Sequence, residues 1–568
     1  MRTKLLVLLL FSASAFAGTA RHVVASGGVT SGNALDSATG WTLAYAAKNN
    51  PVIQAGDTIY LHTGNYQGGL EFEMNGTASA PIIYRNWNNQ RATLYGVPVA
   101  GISDEVIWAK GKHNWFWGLE LWVPDSTGGP WQSGGLITVV ADSVRIINCI
   151  MHNALDVALR DQSQPSGTEV TGNILYYAGR QSLRDNQGGY AFYIQQTTAA
   201  PKKLYRENIY WGQWGSGAQV YGTDVVNLKN ITWTGNVSFN NGNLRGHETD
   251  FTGAEKFMPQ LIFGNTEVTG NIQNDTILYN MNFCSTTPTM YHYFNVGYHG
   301  GASSGIRLDS NIIVGDDISL YLEAGTTGFS MVGNTIVGNY NPGSMSATFP
   351  TNRYLADRAS GWTDTVVVRR NPYESKRANV TVYNMDGSAT VSIDPSSILS
   401  NGDTYRIVSA TNFYGNTLAS GTWTSGNITI TMANITLDRY VTDAVAGHVL
   451  YAPRNPAPHF ASLILLGTGT TNDDVIPVVS SDPSNTTKRK GLTASFSVVA
   501  TGTPSPTYQW QKSSVSITGA TSASYTTPAV TIADNGAQYR CIVTNAAGSD
   551  TSAAATLTVQ LGRKWFGK

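Results

Sequence analysis

Midway along the chain, Asn240–Met258 reads NNGNLRGHETDFTGAEKFM and gathers Arg245, His247, Glu248, Asp250, Glu255 and Lys256 into one run. A second run, RQSLRDNQGG, carries Arg180, Arg184 and Asp185. Groups of these types suit two ways of cutting a sugar polymer. A glycoside hydrolase needs two carboxyl groups, about 5 Å apart for retention of configuration or roughly 6.5–9.5 Å for inversion. Its pool of acids here is Asp250, Glu248, Asp185, Asp161, Asp156 and Glu323. A lyase removes the proton beside a uronate carboxylate, so it needs calcium or Arg/Lys to neutralise that carboxylate and a base to take the proton. Arg160, Arg184, His247, Lys256 and Tyr193 fit those roles. The catalytic candidates are Asp250, His247, Glu248, Arg160, Asp185 and Arg184. No cofactor is implied, except Ca2+ if the reaction is a lyase's.

Short segments around these runs alternate apolar and polar residues, the period of a strand with one buried side. LDVALRD sends Val157 and Leu159 inward and leaves Asp156, Ala158 and Arg160 outside. GYAFYIQQ turns Tyr193 and Gln195 outward, and GAQVYG turns out Gln219 and Tyr221. Tyr293 and Asn295 of YHYFNVGY and Tyr321 and Glu323 of ISLYLEA follow the same rule. Stacked, these strands give one face with four tyrosines among amides and charges. Aromatic rings stack on sugar rings, and amides and carboxylates bond hydroxyls. The same tyrosines could instead only pack on one another from strand to strand. The substrate-binding candidates are these eight outward residues: Tyr193, Gln195, Gln219, Tyr221, Tyr293, Asn295, Tyr321 and Glu323.

What must position them is a repeat. Segments reading RIINCI, VTGNIL, YRENIY, WTGNVS, LYNMNF, LDSNII and MVGNTI align Asn148, Asn173, Asn208, Asn236, Asn280, Asn311 and Asn334, at intervals from 23 to 44 residues. Self-similarity at such a period marks stacked coils. An inward Asn at one turn of each coil can bond the backbone of its neighbours and satisfy groups that stacking would bury. The longer intervals imply inserted loops, where sites are commonly built. GDTIYLHTGNY followed by NGTASAPIIYR resembles the opening coils of right-handed parallel β-helix proteins of the pectin-lyase-like superfamily. That resemblance implies a secreted bacterial protein with a groove for a linear polysaccharide. GYAFYIQQTTAAPKKLYRENIYWGQWGSGAQVYG is similar to a run in bacterial β-helix proteins thought to act on glycans.

The rest of the chain frames this unit. Met1–Ala17 has the basic start, short apolar run and small-residue end of a secretory signal peptide. Trp41–Lys48 predicts a short helix that covers the first coil. After the repeat, VVVRRNPYESKRANVTVYNMDGSATVSI opens an antiparallel sandwich. From Ile476 the chain resembles an immunoglobulin-like domain, with Trp510 as its core tryptophan and Tyr539 two residues before Cys541. Val498 stands where the partner cysteine of an antibody domain falls, so Cys541 is expected as a buried thiol. Cys149, Cys284 and Cys541 suggest neither a disulfide framework nor a zinc site. Of 568 residues only 13% are charged, and the net charge of -1 offers no field for nucleic acid or anionic lipid. No stretch approaches the roughly 20 apolar residues of a membrane helix.

The expected fold is therefore all-β. Residues 1–17 form a signal peptide, 18–350 a right-handed parallel β-helix with an N-terminal cap, 351–470 a β-sandwich, 471–560 an Ig-like domain and 561–568 a tail. The expected function is binding and cleavage of a polysaccharide in the β-helix groove by an exported monomer, with hydrolysis favoured over uronate elimination. The rival of another class is a non-catalytic surface or adhesion protein, with the β-helix as a stiff rod.

Overall fold

The computed structural model describes residues 19–561, apart from 29, 31–33, 36–39, 49, 97–104, 124–134, 163–164, 180–188, 197–201, 214, 223–227, 242–259, 266–271, 274, 284–293, 299–302, 316–317, 321–325, 339–346, 356–361, 416, 439–454, 469–474, 504–505, 514, 546–547 and 553. The signal segment, the tail after Leu561 and Cys284 lie outside the described residues.

Apolar residues recurring at every second position make each short strand one-sided, and the buried sides meet in one interior. Each coil gives one strand to each of three sheets. One coil reads Ile137–Val139, Arg145–Ile147 and Ile150–His152, and the next Leu159–Asp161, Glu169–Thr171 and Ile174–Tyr176. The sheets hold ten, nine and eleven strands. Their pairings are parallel throughout. This is the expected parallel β-helix. Ile107, Ile137, Leu159, Phe192, Ala218 and Leu261 stack in register inside it, each fully buried. Its last strand, Arg353–Leu355, lies just beyond residue 350. Leu43–Ala47 forms the expected helix, capped by the Thr42 hydroxyl, and buries Leu43, Ala46 and Ala47 on the first coils.

The asparagine ladder forms with one correction. Asn173, Asn208, Asn236, Asn280 and Asn311 each accept from the backbone N–H of the ladder residue one coil earlier, at 2.8–3.0 Å, and Asn334 and Asn352 extend the column. Asn148 is not in it. The ladder position in its coil is Cys149, whose N–H donates to Asn173 Oδ1. Asn148 occupies the preceding bend, at φ 52°, equivalent to Gly172, Gly235 and Gly333 of later coils. Asn tolerates the left-handed region almost as glycine does, so the sequence pattern alone left the two positions confused. Cys149 and Cys541 are buried free thiols, as expected.

Residues 365–468 form the antiparallel sandwich. Its larger sheet runs in the order Thr365–Arg370, Arg377–Tyr383, Phe460–Thr468, Thr404–Ser409, Thr417–Thr422. It does not trail as an appendage. On the eleven-stranded sheet, outward residues of successive coils form a ring column: Trp122, His152, Tyr176, Trp211 and Phe239 stack at 4.9–5.8 Å. The sandwich lays Tyr383, Phe460 and Ile464 over the later part of this column. Polar contacts fix the register. Arg369 grips the buried Glu207, Asn371 bonds Asn148, and the Tyr176 hydroxyl donates to Asp438. The last unit is an Ig-like sandwich with its own core around Phe496, Trp510, Tyr539 and Cys541.

Candidate functional site

Among the described residues the sandwich packs on the eleven-stranded sheet and not on the nine-stranded one. That sheet runs Leu70–Phe72, Ile107–Ala109, Ile137–Val139, Leu159–Asp161, Phe192–Ile194, Ala218–Gly222, Leu261–Asn265, Phe294–Tyr298 and Ile318–Leu320. Strand alternation sends one residue of each outward. In register these are Glu71, Trp108, Thr138, Arg160, Tyr193, Gln219 and Ile262, followed by the backbone positions of Asn295 and Ser319.

Arg160 is the centre of this row. Its guanidinium donates to Glu105 at 2.9 Å and to Asp156 at 2.9 Å, through different nitrogens. The two carboxyl groups are thus no farther apart than two hydrogen bonds and the width of one guanidinium. Asp156 is mostly buried; burial raises its pKa and Arg160 only partly offsets this, so the carboxyl sits above its ordinary value. Tyr193, the next residue of the row, has its hydroxyl pushed up by burial, with Arg160 opposing. Gln195 donates to that hydroxyl at 3.2 Å, and the Tyr190 ring lies 6.4 Å from the Tyr193 ring. At the N-terminal end Glu71 is gripped by Lys48 and Lys110, and the Lys110 ammonium sits 4.6 Å over the Trp108 ring.

Among the described residues, three polar atoms of this row are buried with no protein partner: Trp108 Nε1, Thr138 Oγ1 and Gln219 Oε1. A buried polar group left unpaired costs about 1–3 kcal/mol. An indole donor, a hydroxyl and an amide acceptor on either side of Arg160 complement a ligand rich in hydroxyls.

The structure brings together six of the residues singled out above, Asp156 among them on the Arg160 guanidinium. Arg160, Tyr193, Gln195 and Gln219 take the outward places expected of them. Tyr221 is also outward but only 7% exposed, and it pairs with Gly264 rather than with another tyrosine. Tyr193 is flanked by Arg160 and Gln219, so the described residues do not line up as a column of tyrosines: tyrosines two positions apart along their strands fall into different rows. Ala158 is a further correction. It is fully buried, not outward, because the regular strand starts only at Leu159. Asp161 also leaves the pool of acids. It faces the interior with no exposure, where the Lys203 ammonium donates to it at 2.6 Å and the Tyr205 hydroxyl bonds its other oxygen. Asp250, His247, Glu248, Asp185, Arg184, Tyr293, Tyr321 and Glu323 lie outside the described residues, and Asn295 is placed by backbone register alone.

Glu105 and Trp108 escaped the sequence reading. Both stand in SDEVIWAK, where alternation about the strand Ile107–Ala109 turns Trp108 outward. A scan for acids just ahead of each strand of this sheet finds Glu105 and Asp156 together.

A parallel β-helix carrying an antiparallel sandwich and an Ig-like unit, with an open face built around Arg160, defines the class of this protein. Residues 476–545 match the immunoglobulin domain family. Over 88 residues, 15% of this chain, the sequence is 40% identical to Endoglucanase C of Cellulomonas fimi, and the match spans 8% of that protein's length. Among solved structures, pectate lyase Pel9A aligns at TM-score 0.40 with 15% identity, covering 58% of this chain and 80% of that one. The GH136 lacto-N-biosidase from Eubacterium ramulus aligns at TM-score 0.37 with 8% identity, covering 60% and 68%. Among the described residues no helix is long and apolar enough to cross a membrane.

Proposed function

We propose that the protein is an exported carbohydrate-active enzyme that holds a polysaccharide along the open nine-stranded face and cleaves it by hydrolysis. The observation that carries this reading is the Asp156–Arg160–Glu105 constellation in a row whose neighbouring polar atoms await hydroxyl partners. Asp156, its pKa held above the ordinary value by burial, is the proton donor to the leaving oxygen. Glu105 is the second carboxyl, and Arg160 fixes both. Tyr193 and Trp108 stack on sugar rings on either side, and Gln219 bonds their hydroxyls. The similarity to a stretch of an endoglucanase agrees with a carbohydrate substrate.

Hydrolysis is favoured over uronate elimination by the state of the cation. Arg160 is already satisfied by two carboxyl groups and is not available to neutralise a third. Tyr193, its hydroxyl made less acidic by burial, is a poor base for carbon acids. The test is a panel of neutral and uronate-rich polysaccharides, with reducing ends and absorbance of unsaturated uronates followed together, with and without chelator. New reducing ends alone, unaffected by chelator, support hydrolysis. Both signals, lost with chelator, replace it by a calcium-dependent lyase. Silence over the panel leaves the rod-like adhesion protein.

A further inference from the structure

The first two coils carry a cluster that the open face does not use. His22 lies outward on the strand Ala20–Val23, in register with Tyr60, and His62 follows the strand Thr58–Leu61 one coil on. His22 Nδ1 and His62 Nε2 are 2.8 Å apart. The Trp87 ring packs on both imidazoles, at 5.0 and 5.5 Å, and on Tyr60 at 4.9 Å.

The backbone holds this pair rigidly. The His62 N–H donates to the Val23 carbonyl at 3.1 Å. The buried Tyr66 hydroxyl lies 3.1 Å from the Val23 carbonyl and 2.7 Å from the His62 carbonyl, so both histidine-bearing segments share one anchor. Trp87 opens a turn in which Asn88 and Asn89 both take left-handed φ, 46° and 54°. Two adjacent non-glycine residues in that region cost backbone free energy, and here the turn aims an indole at the imidazoles.

When both rings are neutral, one proton serves the gap between them. That shared proton is what a transition ion displaces when imidazoles become ligands. Two metal–nitrogen bonds of about 2.0–2.1 Å at a right angle put the nitrogens about 2.9 Å apart, whereas a tetrahedral angle puts them about 3.3 Å apart. The observed 2.8 Å matches the right angle of square-planar and octahedral ions. We propose that His22 and His62 form a binding site for a divalent transition ion, Cu2+ or Ni2+ in preference to Zn2+, at the N-terminal end of the β-helix. The two imidazole nitrogens supply cis ligands and water completes the shell. Among the described residues no group of three or more His, Cys, Asp or Glu is placed to hold a metal, so His22 and His62 are the ligands that the described residues supply.

The test is titration of the purified full-length chain with CuCl2, NiCl2 and ZnCl2, read by calorimetry and tryptophan fluorescence. One saturable site is expected, with Cu2+ tightest and Ni2+ ahead of Zn2+. Cu2+ should quench fluorescence, and Trp87→Phe should remove that quenching while leaving calorimetric binding intact. His62→Ala, confirmed as folded by circular dichroism, should lose affinity by about tenfold or more. The chain has 9 histidines, so dependence on His62 is the decisive reading. Unchanged Cu2+ binding in His62→Ala overturns the proposal, and so does quenching that survives Trp87→Phe. Tighter binding of Zn2+ than of either other ion overturns the geometry on which it rests.

Discussion

Burial decides what single side chains do on both sides of each coil. Asp156, mostly buried beside Arg160, keeps its proton to higher pH than an ordinary carboxyl, as the proposed donor requires. Asp156→Asn keeps the hydrogen bond to Arg160 but cannot donate that proton, so turnover should fall about 10²–10⁴-fold with the melting temperature little changed. Trp108→Ala removes a stacking platform and should raise KM more than it lowers kcat. Asp275 tests the opposite role. It is fully buried, accepts from the Ile231 N–H at 2.6 Å, and burial pushes it up to about 8 from an ordinary 3.8. The folded chain then keeps a proton that the unfolded chain has released. Its contribution is complete below about pH 4 and is lost as pH rises through 8. Asp275→Asn should raise the melting temperature at pH 8 and not at pH 4; equal melting curves at both would refute a buried neutral acid. Sequence alternation located Arg160, Tyr193, Gln195 and Gln219 because an outward residue needs only a known strand phase. The same phase puts Asp161 inward, as found, yet it stood in the pool of acids because a charged residue is expected outside, and nothing in the local pattern announces that Lys203 and Tyr205, some forty residues on, meet it in the interior.

At the scale of elements, stacking turns local alternation into long rows, and the rows decide what each sheet can meet. The repeat of asparagines made the β-helix legible before any coordinate, since only stacked coils align such a residue at each turn. The pairing of sheet with sandwich was not legible. Trp122, His152, Tyr176, Trp211 and Phe239 each look like an ordinary strand residue, and they become one ring column only when coils are in register. The sandwich buries that column and clamps it with Arg369, whose guanidinium bonds both oxygens of Glu207 at 2.9 Å. Arg369→Ala leaves a carboxyl in the interface without its cation, which should cost roughly 3–5 kcal/mol in a denaturant titration. A loss indistinguishable from that of a surface pair would mean that the sandwich rests only loosely on the helix. A chain ending at Leu355 exposes Trp211 and Phe239 and is expected to aggregate.

For the whole molecule, the division of labour follows from where the covers lie. Among the described residues one sheet of the β-helix is roofed by the sandwich, and another carries the polar row away from it. The Ig-like unit keeps a core separate from the rest, so removing residues 476–560 should leave hydrolysis of a soluble polysaccharide unchanged. A drop in kcat on that deletion would assign the unit to the site. The central claim is that the open face cuts a polysaccharide through the carboxyl groups on Arg160. The most direct measurement compares wild type, Asp156→Asn and Glu105→Gln for release of reducing ends from the best substrate of the panel, with circular dichroism as a check on folding. The account predicts cleavage by the wild type without unsaturated products and near-complete loss in both variants. Full activity in the folded variants, or products carrying the unsaturated uronate signal, would contradict it.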